Sequence, residues 1–276
     1  MKSVQRLRVP VLMVLGVAVV FIAVSPYLVM LLTALKPSDE LFLSPATIVP
    51  QQWEWSNFID VWTVAPIATY LRNSLLVTVC ATAIVLVAAV PAAYYVARHR
   101  FRGRTPFLLF VLLTQMIAPT AVLIGIYRQF RLVDMIDNWF ALILVNAAFN
   151  MAFAVWILVG FFSSIPEELE EAARLDGATR FGVLRRIVLP LAGPGMVTAA
   201  IFTFVAVWNE YVLALTLISS DEKKPLSVGI TGFIGQYDVQ YQYLFATAVI
   251  GIVPVVIMFA LIEKKLAGGL TAGAVK

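Results

Sequence analysis

Charged side chains are scarce in this sequence and unevenly placed. Glu167, Glu168, Glu170, Glu171, Arg174, Asp176, Arg180, Arg185 and Arg186 crowd into one island between two long apolar runs. Such an island offers carboxylates and guanidinium groups to something in the aqueous phase, for ion pairing and hydrogen bonding with a protein partner. A second candidate is Glu210, the one acidic residue well inside an apolar run. A carboxylate in hydrocarbon is costly and should face the bundle interior or water. Two roles are open to it: a pathway or gate residue, or a hydrogen bond with Asn209 or another polar side chain. Gln115, Asn146 and Asn150 pose the same choice. Amides near Phe149, Phe153 and Trp208 suit neutral hydroxylated ligands, because amides hydrogen-bond hydroxyls and rings stack on sugar C–H faces. Asn146 and Asn150 lie one turn apart on a helix face, which makes Asn150 the first to test.

Other chemistry is excluded. The single cysteine, Cys80, lies in an apolar run, so there is neither a disulfide framework nor metal-ligand spacing. The single histidine, His99, lies in a basic loop, which removes His-based catalysis and metal binding. No G-x-x-x-x-G-K-[ST] occurs, so the chain has no phosphate-cradling loop and no ATP site of its own. An intramembrane enzyme would need a polar nucleophile or a cluster of internal Asp, Glu or His, and only one internal carboxylate is present. The formal charge of +4 does not indicate nucleic acid, because the basic residues form short clusters between apolar runs rather than a stripe.

These residues must be positioned by membrane helices. Of 276 residues, 61% are hydrophobic and 13% charged, with mean hydropathy +0.92; soluble domains carry about a quarter charged residues. Six segments reach the roughly 20 residues needed to cross a bilayer: 9–35, 71–96, 106–127, 140–162, 193–217 and 244–262. The first resembles a secretory signal at its start, but it runs on past Pro26 and is read as an uncleaved span. Fourteen of the twenty Lys and Arg residues fall at the two termini, in 98–104 and in the charged island, against six in the other loops. That asymmetry places both termini and the island in the cytoplasm, as an even number of spans requires. The expected fold is therefore all-α, a polytopic membrane protein with six transmembrane helices forming one domain over 1–276. Of the outer loops, 36–70 carries Trp53, Trp55 and Trp62, suited to the headgroup region. The loop 218–243 carries Gly229, Gly232, Gly235, Tyr237, Tyr241 and Tyr243, suited equally to a partner surface or the membrane boundary. Pro26, Pro91, Pro119 and Pro254 are expected to kink their spans.

Within the island, Ser164-Ile165-Pro166-Glu167 reads as a capping box, with Pro166 in the first turn. The glutamates that follow favour the positive end of a helix dipole. Leu169, Ala172, Ala173 and Asp176 form a narrow stripe, and Gly177 supplies a left-handed C-cap. A second helix starts at Thr179 and is expected to stop at Pro190. Four carboxylates near an anionic leaflet are unfavourable, so a protein partner is preferred to a helix lying on the bilayer.

Glu171-Ala172-Ala173, three residues, Gly177, nine residues, then Ile187-Val188-Leu189-Pro190 resembles the EAA motif of binding-protein-dependent ABC importer permeases without a departure. The C-terminal stretch 269–276 and Trp208-Asn209-Glu210-Tyr211 resemble the carbohydrate, maltose-type branch. The similarity implies that 163–190 is a cytoplasmic coupling loop between spans four and five. In it Glu171, Ala172, Ala173, Asp176 and Gly177 would dock on an ATP-binding subunit: Glu171 as the charged contact, Ala172 for close packing and Gly177 for the turn. It implies a second homologous permease, two ATP-binding cassette subunits that hold ATP and Mg, an extracytoplasmic solute-binding protein, and a prokaryotic inner-membrane location. No cofactor is expected in this chain. Permeases for phosphorylated polyols, anions or polyamines share the EAA logic; an enzyme or scaffold is a remoter reading.

Overall fold

The computed structural model describes the backbone of residues 2–45 and 47–272 and the side chains of 12–45 and 47–262. The terminal residues Lys2, Arg6, Arg8, Lys264, Lys265 and Lys276 and the stretch 269–276 lie outside the described side chains. The main helices among the described residues are α1 (Lys2–Ala34), α2 (Asn57–Val64), α3 (Ile67–Arg98), α4 (Arg104–Thr114), α5 (Pro119–Leu132), α6 (Trp139–Ser164), α7 (Glu168–Leu175), α8 (Arg180–Leu191), α9 (Gly193–Trp208), α10 (Val212–Leu217) and α11 (Tyr241–Ala272), with shorter helical turns between them. Among the described residues the one strand-like pairing is an isolated bridge between Ile234 and Val239. The architecture is all-helical, as the composition predicts.

Among the described residues four helices are long and apolar enough to cross a membrane: Leu12–Ala34 of α1, α3, α6 and Tyr241–Ile262 of α11. The number reaches six if α4 with α5, bent by 88°, and α8 with α9, bent by 74°, each count as one span. The expected segment 106–127 is therefore broken outright near Pro119, where a kink was expected. Ala118, which precedes Pro119, is extended (φ −63°, ψ 133°), because the proline ring disfavours helical geometry in the residue before it. Pro119 then opens α5 in its first turn, where a missing N–H costs nothing. Pro26, Pro91 and Pro254 instead lie inside helices that continue through them. The segment 193–217 is also divided, with α9 ending at Trp208 and α10 starting at Val212.

Two groups of residues pack separately, one within Met1–Ile67 and Ile230–Ile252, the other within Ala68–Gly229 and Val253–Lys276. In the first, the last turn of α1 needs acceptors satisfied from outside. Asn57 supplies this, its Nδ2 donating to the carbonyls of Ala34 and Lys36 at 3.0 and 2.9 Å. Lys36 donates to the Thr47 carbonyl and hydroxyl, and the Thr47 hydroxyl donates to Glu40 at 2.6 Å. That hydroxyl, opposed by burial and assisted by the Gln51 and Gln52 amides, holds the Glu40 carboxyl below its ordinary range. Trp53, Trp55 and Trp62 are all exposed, and the first two stack at 6.2 Å.

In the second group α6 is the hub, with 56% of an 18-residue apolar stretch buried inside the chain. Along α3 the buried positions Ala81, Val85, Ala89, Ala93 and Ala97 recur every fourth residue, a small-residue stripe that allows close helix approach. Two apolar cores follow: Ala154, Leu158 and Phe162 of α6 with Ala89 and Ala93, and Leu142, Ile143 and Val145 with Leu213 and Leu217 of α10. Gly195 of α9 meets α6 so closely that a Cβ there would lie 2.4 Å from the Phe161 ring. Before α6, Asp137 (φ 57°) gathers the 219–223 segment. Its carboxylate accepts from the amides of Ser219 and Ser220 at 3.0 Å and from Lys223 Nζ at 2.9 Å.

Candidate functional site

The charged island folds as a short helix, a glycine turn and a second helical stretch. Gly177 has φ +85°; its N–H donates to the Arg174 carbonyl at 3.1 Å and the Ala178 N–H to the Ala173 carbonyl at 3.0 Å. This paired closure of the last carbonyls of α7 is a Schellman turn, which needs a left-handed residue and so favours glycine. Thr179 caps α8 as expected, its hydroxyl accepting from the Gly182 amide at 3.1 Å.

Three expectations are corrected. Ser164 does not cap α7: it is the last residue of α6, and its hydroxyl donates back to the Phe161 carbonyl at 2.8 Å. The continuing helix outcompetes the local motif, and Glu167 precedes α7 without a side-chain cap. Pro190 does not stop the second helix, which runs to Leu191. The proline has no N–H for the Arg186 carbonyl, and the preceding turn widens to π geometry over Leu184–Val188. The Leu/Ala stripe also divides: Ala173 is buried, whereas Leu169, Ala172 and Asp176 are exposed.

What holds α7 in place was not evident from the sequence. Glu170 is 4% exposed, while its neighbour Glu171 faces water. Glu170 Oε1 accepts from Arg98 Nε and Oε2 from the Tyr94 hydroxyl, both at 2.5 Å. The Arg98 and Glu170 side chains are only 8% and 6% exposed, so the pair is buried, and it straps α7 to the end of α3. Beside it lies a cleft of about 160 Å³. Glu171, Ala172, Asp176 and Gly177 all remain exposed, and Leu175 and Phe181, on either side of the turn, are 89% and 70% exposed. Two large apolar side chains around an acidic turn form a surface suited to a protein partner.

The internal polar residues are only partly brought together. Glu210 lies in the break between α9 and α10, and its partner is not Asn209. Its carboxylate accepts from the amides of Leu213 and Ala214 at 2.7 and 3.0 Å, satisfying the free N–H groups that the break exposes. Asn209 is exposed and donates to the Val205 carbonyl. Asn146, Trp208 and Glu210 surround a void of about 10 Å³, room for about one water. Asn146 donates to the Leu142 carbonyl, and the half-buried Asn150 to the Asn146 carbonyl. Gln115 reaches the Phe149 carbonyl at 3.2 Å. Phe149 also lines a cavity of about 430 Å³ at the α4–α5 bend, where Gln129 and Thr114 are the polar members. Among the described residues no cluster of His, Cys, Asp and Glu could hold a metal ion.

Continuous and broken apolar helices of membrane-crossing length define a membrane component. The chain belongs to the family of binding-protein-dependent transport system inner membrane components, whose model matches residues 85–266. It is 34% identical over 251 residues to the sulfoquinovosyl glycerol transport system permease protein SmoH of Agrobacterium fabrum, covering 91% of this chain and 88% of that protein. It is 32% identical over 257 residues to the inner membrane ABC transporter permease protein YcjP of Escherichia coli, covering 92% of each. Among solved structures, a chain of a bacterial ABC transporter involved in import of the acidic polysaccharide alginate superposes with a TM-score of 0.79 at 25% identity, covering 94% of this chain and 96% of that one. The chain is thus an ABC transporter permease of the inner membrane.

Proposed function

We propose that the chain is one of two homologous permease subunits of an ATP-driven importer. Its cargo is a sugar or related polyhydroxylated solute, delivered by an extracytoplasmic solute-binding protein. The observation that carries this reading is the α7–Gly177–α8 turn. Its inner side is fixed by Glu170 and Ala173, while Glu171, Ala172, Asp176, Leu175 and Phe181 face water. A rigidly held, partly apolar turn is what a separate motor needs in order to push on the spans. In this reading each bent helix pair is one span, both termini and 163–190 are cytoplasmic, and two ATP-binding cassette subunits supply ATP and Mg. Glu171 pairs with a basic or backbone donor of the ATPase, and Ala172 allows its backbone to approach. Relatives named for sulfoquinovosyl glycerol and alginate, with the amides and rings of α6, favour a carbohydrate.

Glu171→Lys and Gly177→Pro test the coupling. Both are expected to reduce solute-stimulated ATP hydrolysis at least tenfold while the complex still inserts; normal stimulation in both would refute the assignment. Asn150→Ala tests the pathway, and unchanged affinity and turnover of transport would remove Asn150 from it. Screening sugars against the cognate solute-binding protein identifies the cargo.

A further inference from the structure

Three guanidinium groups line the cleft beside α7, Arg98 from the end of α3, Arg174 from α7 and Arg180 from the start of α8, with the His99 ring beside them. Two carboxylates, Glu167 and Glu170, also line it. The Glu170 carboxylate is already engaged by Arg98 and Tyr94. Among the described residues no carboxylate lies within ion-pair distance of Arg174 or Arg180; Arg174 Nε donates to the Glu170 carbonyl at 3.2 Å. Arg98 uses only part of its fork. Its side chain is more than nine-tenths buried, and its Nη2 is buried with no acceptor. A buried guanidinium N–H without a partner is costly, and a planar fork beside two further guanidinium groups matches the oxygens of a phosphate.

We propose that this cleft binds a phosphate-bearing anion, which joins α3, α7 and α8 through Arg98, Arg174 and Arg180. The volume of about 160 Å³ admits a phosphate group. On the topology proposed above, the end of α3 lies at the cytoplasmic boundary of a span, so the group has two sources of the same chemistry: an anionic lipid headgroup or free phosphate. Bound there, it fastens the coupling turn to the end of α3 and links docking of the motor to the cell's phosphate or lipid state.

The test uses the full chain purified with the subunits that accompany it, in phosphatidylcholine nanodiscs. One arm titrates inorganic phosphate against chloride of equal ionic strength; the other adds phosphatidylglycerol to the nanodiscs without phosphate. A saturable rise in melting temperature is expected in at least one arm, and the responding arm identifies the source. Arg180→Gln and, separately, Arg174→Gln are expected to weaken the apparent affinity about tenfold, the loss of one charge-assisted contact. Arg180 and Arg174 are exposed, so these replacements leave the buried Arg98–Glu170 pair intact. No rise in either arm, or a rise of equal affinity in both variants, would overturn the proposal.

Discussion

Gly177 and Glu210 meet the same demand at opposite helix ends. Gly177 turns the chain so that backbone amides close the last carbonyls of α7, while Glu210 supplies a carboxylate to the first amides of α10. Glu210→Ala removes both acceptors and is expected to cost about 1–2 kcal/mol, measurable by denaturant unfolding in micelles. Glu210→Gln, which keeps one acceptor, should recover about half. Asp137 is a third such residue. Burial pushes its carboxyl up, but the Ser220 hydroxyl and amide, Lys223 and the Ser219 amide outweigh this and hold it well below the ordinary carboxylate range. A depressed folded-state pKa contributes stability above the unfolded pKa, about 3.9, and loses it as pH falls through the folded value. Stability conferred by Asp137 should therefore be constant from about pH 5 to 8. Asp137→Asn should speed amide exchange at Ser219 and Ser220 by about tenfold throughout that window, a local opening change of about 1.4 kcal/mol. Exchange protection that itself varied with pH across the window would count against this assignment.

At the scale of elements, the Arg98–Glu170 pair and the Gly195–Phe161 contact decide how helices meet. Removing one partner of a buried ion pair strands the other, so Glu170→Ala is expected to destabilise by about 3–5 kcal/mol. The double replacement Arg98→Met with Glu170→Leu should lie within about 1–2 kcal/mol of the parent, because matched apolar groups tolerate burial. Gly195→Val forces a side chain into the Phe161 ring and should cost about 1–3 kcal/mol. The glycine turn was legible in the sequence because a left-handed residue after a helix favours one amino acid. Glu170 was not. Glu167, Glu168, Glu170 and Glu171 are chemically alike, and only the arrival of Tyr94 and Arg98 from a distant part of the chain selects the one that turns inward. Ser164 misled for a related reason: a capping motif presumes that the preceding helix has ended, and α6 had not. Glu210 was recognisable as anomalous, but the break that gives it backbone partners is a property of the folded segment, not of its apolar composition.

For the whole molecule, the all-helical class followed from composition, while the six expected spans resolve among the described residues as four continuous apolar helices and two bent pairs, because hydropathy is blind to a bend. Burial also separates the helices: 56% of an 18-residue apolar stretch of α6 is buried inside the chain, and none of the corresponding stretch within Leu12–Ala34 is. In a bilayer that first span is held by lipid or by another subunit. A lipid-soluble photoreactive label should therefore mark residues 12–34 several-fold more heavily than 139–164, and equal labelling would contradict the packing described. The strap between α3 and α7 has a further consequence, concerning temperature. Charged groups lose hydration free energy on warming, so the penalty for burying Arg98 and Glu170 shrinks, while apolar burial levels off. The attachment of the α7–α8 turn should thus strengthen relative to the surrounding core as the cell warms. A double-mutant cycle repeated across temperatures would read this as a coupling energy that grows with heat.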